Sequence, residues 1–401
     1  MVTPDKLVLP GGVYAHIVGW GMAVPDAILS NEDLAAIVET SDEWIRERTG
    51  IHTRHIASER ESTATLGLKA AQRALEIADM LPDELDLIIV ATSTPENIFP
   101  STASLIQDRL GATYAGAFDL SAACSGFVYA VNMAAQAIRS GSIERALVIG
   151  SETMTRVMDW QDRATCILFG DGAGAVVLQA RDVPGGVLSS VLRSDGSGHD
   201  LLGIPSVGSL DIQVSGLSPN GHKLHKMHME GGEVFKFATR VIGDSIRQAV
   251  AQAGIQLSDL KLIVPHQANE RIIQAAARNL GLDRNRFMVN LDKYGNTSAA
   301  SIPIALVEAI EQKRVTEGDY IAFVGFGGGL TWASMVVRWS GPQPENRFGA
   351  QRRQLSYTVS AWRARLRRFG RRYIDLFNRV RPKRGRLLRL RRRIDERIKE
   401  L

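Results

Sequence analysis

Asp119-Leu120-Ser121-Ala122-Ala123-Cys124-Ser125-Gly126-Phe127-Val128 decides how the chain is read, because an apolar strand, a small-residue turn carrying a cysteine and a helix follow one another without a break. Gly116-Ala117-Phe118 reads as the strand end. Downstream, Phe127, Val128, Val131, Ala134, Ala135 and Ile138 recur at helical spacing, which places Cys124 at or near a helix N-terminus. Unpaired backbone N–H groups and the macrodipole there favour an anion, so the sequence predicts a thiol drawn down toward the nucleophilic thiolate. Ala122, Ala123, Ser125 and Gly126 leave room for a substrate to reach the sulfur. The competing reading is a buried cysteine acting as a small hydrophobe.

The strands on either side of this turn have echoes 170 to 175 residues later. Leu85-Asp-Leu-Ile-Ile-Val90 followed by Asp108-Arg-Leu-Gly111 resembles Leu260-Lys-Leu-Ile-Val264 followed by Arg278-Asn-Leu-Gly281. Phe118-Asp-Leu120 matches Val289-Asn-Leu291, and Ala146-Leu-Val-Ile-Gly150 matches Ile321-Ala-Phe-Val-Gly325. So regular an offset predicts an internally duplicated α/β protein, each half giving strand, helix, strand, helix, strand. Chemistry in such folds gathers beyond strand ends and at helix starts, so loops from both halves are expected to converge.

With 401 residues and 45% hydrophobic composition, the chain can bury a large core and suggests two domains or one large duplicated one. The start lacks a basic segment followed by an apolar run, and no apolar stretch approaches a membrane span; the expectation is a soluble cytoplasmic protein. Two cysteines exclude a disulfide framework, no spacing suggests a metal site, and Cys166 reads as core. The net charge of +5 conceals a division. Residues 342–401 hold 18 Arg and 2 Lys against 5 Asp plus Glu, a net of +15, which leaves residues 1–341 with 28 basic and 38 acidic side chains.

The second-half loops are rich in chemical groups. Val264-Pro-His266-Gln-Ala-Asn269 follows a strand, Tyr294-Gly-Asn296-Thr-Ser298 opens an Ala-rich helix, and Gly325-Phe-Gly327-Gly328-Gly329 follows another strand. Singly these read as a satisfied histidine, a turn or capping asparagine and a tight glycine turn. Together with Cys124 they supply a nucleophile, two oxyanion-stabilising side chains and exposed N–H donors, the set that thioester carbon–carbon bond formation needs.

Six ordered motifs carry a resemblance over roughly residues 12–340: Thr40-Ser-Asp-Glu-Trp44-Ile-Arg-Glu-Arg48-Thr-Gly-Ile51, Asp119 to Phe127, Phe169-Gly-Asp-Gly-Ala-Gly174, Pro265-His266-Gln-Ala-Asn-Glu-Arg271-Ile-Ile, Gly295-Asn296-Thr-Ser and Gly327-Gly-Gly-Leu-Thr-Trp332. The chain resembles the thiolase-like condensing enzymes and, among them, the β-ketoacyl-acyl-carrier-protein synthase III family. The order Cys, His, Asn separates this branch from elongating synthases with two histidines and from thiolases with a second active cysteine. The resemblance implies duplicated halves in a layered αβαβα arrangement: an N-terminal half over 12–184 carrying Cys124, a C-terminal half over 185–340 carrying His266 and Asn296, and a basic helical extension over 341–401.

It also implies decarboxylative Claisen condensation of an acyl-coenzyme A primer with malonyl-acyl-carrier protein, with no metal and no bound cofactor. Catalysis would fall to Cys124, His266 and Asn296, and the oxyanion hole to the N–H groups of Cys124 and Gly328. Trp44, Arg48 and Arg163 match nucleotide-contacting positions. Phe99 matches a residue reaching into the partner's acyl pocket in a homodimer, and Phe169 one near that pocket. Arg271 and Lys236 match the basic rim where an acidic carrier protein docks. Position 232 is glycine where relatives often carry a larger polar residue, removing one tunnel contact. Short or branched primers are expected by family analogy. The other readings are a sister enzyme of polyketide or quinolone synthesis, a non-decarboxylating condensing enzyme, an acyl transfer to oxygen, and a non-catalytic acyl-binding module.

Beyond residue 341 the resemblance ends. After the linker-like Gly341-Pro-Gln-Pro-Glu-Asn, Trp362, Leu366, Phe369, Tyr373, Phe377 and Val380 recur at helical intervals among arginines; Gly370 weakens that helix and Pro382 stops it. Leu387, Leu390, Ile394, Ile398 and Leu401 continue the pattern in a second segment. The tail is expected to bind an anionic membrane surface, making the protein peripheral to it, or an acidic partner; the bland reading is a solvated basic extension, and nucleic acid is not expected.

Overall fold

A computed structural model of the chain describes residues 12–205, 221–341 and 350–380. The first half builds a five-stranded mixed sheet from β1 (Tyr14–Ala23), β2 (Leu87–Ala91), β3 (Gly116–Leu120), β4 (Arg145–Thr153) and β5 (Asp171–Arg181), in the order β1-β5-β4-β2-β3. The second builds a four-stranded sheet from β6 (Gly186–Ser194), β7 (Leu260–Pro265), β8 (Tyr320–Gly327) and β9 (Thr331–Arg338), in the order β6-β9-β8-β7. In each, a parallel pair (β2 with β4, β7 with β8) continues into antiparallel neighbours. The echoed segments therefore occupy equivalent places in two sheets of one design.

The halves differ at one strand. Val289-Asn290-Leu291, the expected counterpart of β3, forms no ladder among the described residues: Phe287 makes a single bridge to Ile263, and Leu291 begins a short helix. The cause is side-chain competition for the backbone. The Asn290 N–H donates to Gln267 Oε1 at 3.0 Å and its side-chain amide donates to Glu308 at 2.9 Å, turning the chain inward where a strand would continue.

Among the described residues, eight helices of at least eight residues cover or separate the sheets: α1 (Asp42–Thr49), α2 (Thr63–Ala78), α3 (Thr102–Leu110), α4 (Gly126–Arg139), α5 (Gly231–Gln252), α6 (Glu270–Leu280), α7 (Ser301–Glu311) and α8 (Ala350–Val380). α4 and α7 lie between the sheets, and residues 301–309 of α7 are buried without interruption. A helix apolar all round belongs inside, whereas α2, α3, α5 and α6 each bury one stripe on an outer sheet face. The result is the layered αβαβα arrangement, and it brings the starts of α4 and α7 together where both sheets end.

α8 runs through Gly370 and packs on α3 and the end of α2: Ala364 is buried, Ser360 lies against Gly111, the Tyr357 hydroxyl donates to the Met80 carbonyl at 2.9 Å, and Arg368 pairs with Asp108. Pro382, the expected segment from Leu387 to Leu401, and the side chains of Phe377 and Val380 lie outside the described residues.

Candidate active site

Cys124 sits in a single 3-10 turn, Ala123–Ser125, that feeds directly into α4. Close approach by the other half fixes this turn. β8 passes so near that a Cβ on Gly325 would lie 2.8 Å from Ser125 Cα, and one on Gly327 would lie 2.8 Å from the Cys124 nitrogen, so neither position admits a side chain without movement. Thr331 Oγ1 stitches the two halves, lying 2.6 Å from Ser125 Oγ, 3.1 Å from the Ala122 carbonyl and 3.1 Å from the Gly328 carbonyl. The Cys124 turn and Gly328, the expected oxyanion pair, are thereby held to one residue.

His266 and Asn296 arrive from the ends of β7 and the turn before α7. His266 is buried against Phe326, ring centroids 5.1 Å apart, and its Nδ1 lies 2.6 Å from Ser301 Oγ. The Gln267 N–H donates to that same oxygen at 3.4 Å, which leaves the Ser301 hydroxyl proton for His266 Nδ1. The imidazole proton is then on Nε2. Burial holds His266 down to about 3, so the ring is neutral at physiological pH and acts as an N–H donor. Asn296 Oδ1 accepts the Ser298 N–H at 2.9 Å, which turns the carboxamide NH2 outward as a second donor. The Asn296 backbone is clamped in turn, its N–H to Leu168 at 2.8 Å and its carbonyl accepting from Gly170 at 3.0 Å, so Phe169 and Asn296 are placed by one bridge.

One cavity of about 480 Å³ contains Cys124, Phe169, His266, Asn296, Gly327 and Gly328. Its apolar end is formed by Met154, Phe169, Leu202, Ile204 and Met227, an adaptable lining in which two methionines can shift to fit a chain. The turns presenting the chemistry each hold a non-glycine residue in the left-handed region, Ala123 at φ +46° and Ser298 at φ +49°, strain typical of functional sites at about 1–3 kcal/mol each.

The thiol corrects one sequence expectation. Burial pushes Cys124 up to about 12, outweighing the depression expected from the helix start, and the Glu152 charge acts in the same direction. The resting group is a thiol, its sulfur 3.5 Å from Ser298 Oγ. Glu152 is fully buried behind it; burial raises its pKa against hydrogen bonds from Thr94, Ser93, Ser298 and Thr92.

The remaining expected residues fall in three places. Trp44 is half-buried outside the cavity, with the guanidinium carbons of Arg48 and Arg163 at 4.7 and 4.8 Å from its ring centroid, so the face expected to take an adenine stacks arginines in this structure. Asn269, on the cavity wall, donates to the Arg48 carbonyl at 2.9 Å and ties this cluster to the mouth. Arg271 lies over Phe235 of the cavity wall at 5.7 Å, whereas Lys236 pairs with Glu233 at 2.8 Å on the surface. Phe99 is 84% exposed and outside this protomer's cavity, so it plays no part in the core. Gly231 lines the cavity; Gly232 faces open space. Among the described residues no three His, Cys, Asp or Glu side chains gather as metal ligands would.

Several contributors were not singled out from the sequence. Ser298, Ser301 and Thr331 stood inside or beside recognised motifs, and their hydroxyls were the available signal. Arg54 gave none: fully buried, it donates to the Asn31 side chain and the Leu29 and Ile167 carbonyls, bracing the segment that carries Phe169.

Two sheets of one design around paired central helices, with a cysteine turn from one half facing a histidine and an asparagine from the other, define a thiolase-like condensing-enzyme fold. The family profile for 3-oxoacyl-[acyl-carrier-protein] synthase III matches residues 118–196, and that for its C-terminal region matches residues 250–339. The β-ketoacyl-[acyl-carrier-protein] synthase III of Roseiflexus sp. (strain RS-1) is 51% identical over 327 residues, 82% of this chain and 99% of the relative. The crystal structure of the corresponding synthase III from Aquifex aeolicus VF5 superposes with a TM-score of 0.75 at 45% identity, covering 81% of this chain and all of that one (100%). The priming β-ketosynthase of the R1128 polyketide pathway superposes with a TM-score of 0.76 at 36% identity, covering 84% and 99%. The chain belongs to the β-ketoacyl-[acyl-carrier-protein] synthase III family.

Proposed function

We propose that this protein is an acyltransferase that condenses an acyl-coenzyme A primer with malonyl-acyl-carrier protein, releasing carbon dioxide and forming a 3-oxoacyl-acyl-carrier protein, the initiating reaction of fatty acid biosynthesis. The observation that carries this reading is the convergence, in one cavity, of the Cys124 thiol with the outward-facing N–H donors of His266 and Asn296. In the first stage Cys124 attacks the thioester; the backbone N–H groups of Cys124 and Gly328 hold the oxyanion, and the thiol proton leaves with coenzyme A. In the second, His266 Nε2–H and the Asn296 amide donate to the malonyl thioester carbonyl. The electron pair of the breaking carbon–carboxylate bond becomes an enolate held by those donors. The enolate carbon attacks the acyl-Cys124 carbonyl, the carbon–sulfur bond breaks with its electron pair going to sulfur, and the thiolate takes up one proton from solvent. The electrons balance without a redox group or metal.

Phe169 and the methionine-lined end of the cavity support the reading of an acyl slot, Trp44, Arg48 and Arg163 that of a nucleotide contact, and the Arg271 rim that of a carrier-protein approach. The Glu233 pair leaves Lys236 the weaker docking residue. The homodimer reading is supported by exposed Ile98, Phe99, Tyr114 and Phe118 on and around edge strand β3, whose outer side has no strand partner among the described residues. The reaction is assigned to the cytoplasm.

The test is carbon dioxide release from malonyl-carrier protein with a panel of acyl-coenzyme A primers. Short or branched primers are expected to prevail, and a strong preference beyond about eight carbons overturns that choice. Cys124→Ser abolishes acylation, since a hydroxyl is far less ionisable than a thiol. Asn296→Ala still yields the acyl-enzyme by mass spectrometry but loses about a hundredfold in condensation. The opposite pattern reverses the two stages.

A further inference from the structure

α8 is docked with its apolar stripe outward. Its inner face presents Tyr357, Ser360, Ala364 and Arg368 to α3 and the end of α2. The opposite face carries Leu355, Val359, Trp362, Leu366, Phe369 and Tyr373, three or four residues apart and all exposed, Trp362 by 60% and Phe369 by 70%. A helix on a globular body normally turns its apolar stripe to the core. Here small and polar residues make the docking contacts, so the aromatic stripe has no partner within the described protein.

Charge indicates what meets it. At 100° per residue, Arg363 borders one edge of the stripe and Arg365 and Arg372 flank the other, and no Asp or Glu occurs between Ala350 and Ile374. A second copy brought face to face would set arginine rows against arginine rows. A nucleic acid would match the arginines and leave Leu355, Val359 and Leu366 against water. A surface apolar at depth and anionic above satisfies both.

We propose that this outward face of α8 seats the protein on an anionic lipid bilayer, with Trp362, Leu366 and Phe369 among the acyl chains and the bordering arginines among the headgroup phosphates. The helix lies in the interface and does not cross it; among the described residues no helix is long and apolar enough to span a membrane. Docking on α3 presents the stripe already formed, so binding requires no separate folding step. The inference is independent of the condensation reading.

The experiment is flotation of the full-length protein with phosphatidylcholine vesicles, with and without phosphatidylglycerol, at low salt. The intact protein floats with the anionic vesicles and not with pure phosphatidylcholine. The triple variant Trp362→Ser, Leu366→Ser, Phe369→Ser keeps the charge and loses at least about tenfold in affinity, as does the variant replacing Arg363, Arg365 and Arg372 by Gln. Neither set touches the docked face, and the melting temperature and far-UV circular dichroism stay at wild-type values, which separates lost lipid binding from misfolding. Failure of the intact protein to float with anionic vesicles overturns the proposal. So does equal binding by the serine variant, which would mean charge alone, or a fall in oligomer size caused by the serine changes without lipid, which would mean the face joins two copies.

Discussion

At the level of single residues, the site depends on neutral donors aimed by their neighbours. Ser301 selects the His266 tautomer that places a proton on Nε2, so Ser301→Ala frees the ring to adopt either tautomer. The expected result is a loss of about 10- to 100-fold in condensation, by analogy with lost orienting partners of other functional histidines, with acylation of Cys124 unchanged in a single-turnover assay. An equal loss in both stages would mean the serine merely supports the fold. The same histidine sets a pH dependence of stability. Its pKa falls from the ordinary 6.5 to about 3 in the fold, so the unfolded chain binds the proton more readily. The associated stability is fully present above pH 6.5 and is lost as pH falls toward 3. At pH 5 the loss from this group is roughly 2 kcal/mol. Denaturant midpoints measured from pH 7 to pH 5 should therefore drop, and less steeply in His266→Asn.

At the scale of elements, the chemistry rests on the contact between β8 and the cysteine turn. Ser125 and Gly325 are 200 residues apart in sequence, yet the strand lies against the turn's backbone. Gly325 does not line the cavity, so Gly325→Ala tests positioning alone. The added methyl meets Ser125 Cα and the Cys124 carbonyl, backbone that cannot swing aside, and overpacking of this kind costs about 1–3 kcal/mol. We expect a lowered melting temperature together with acyl-enzyme formation slowed by at least about tenfold, read by mass spectrometry of Cys124; a stability loss with unchanged acylation would show that the turn keeps its geometry without the strand. The regular offset from Phe118-Asp-Leu120 made Val289-Asn-Leu291 look like a strand, and the hydrogen bonds of Asn290 to Gln267 and Glu308 overrode that pattern.

For the whole molecule, the β3 edge of the first sheet, without a strand partner among the described residues, and the exposed aromatic residues beside it predict self-association. Phe118→Asp places a charge on β3, half-exposed on one protomer and facing its copy if two edges meet. The expected outcome is a shift from dimer to monomer in sedimentation velocity, with loss of condensation through displacement of Phe99 from the partner's acyl slot. A monomeric variant with full activity would assign Phe99 no role in the reaction.

The sequence by itself determined the duplicated α/β character and the cysteine, histidine and asparagine that share the cavity, because repeated apolar periods and short motifs are local properties written in consecutive residues; the layered αβαβα class came only with the family resemblance those motifs carry. The division of the tail from the body was equally legible, since charge is additive along a chain. Tertiary structure decided the rest. The state of the Cys124 thiol turned on burial by segments from both halves, which local helix-start reasoning could not weigh. The direction of the Asn296 amide and the His266 proton turned on Ser298 and Ser301, and the bracing of Phe169 on Arg54 from far away in the chain. The periodicity of α8 gave it an apolar stripe, but only its docking through Ser360 and Ala364 decided that the stripe faces outward, because which side of a helix is buried depends on the surface it meets.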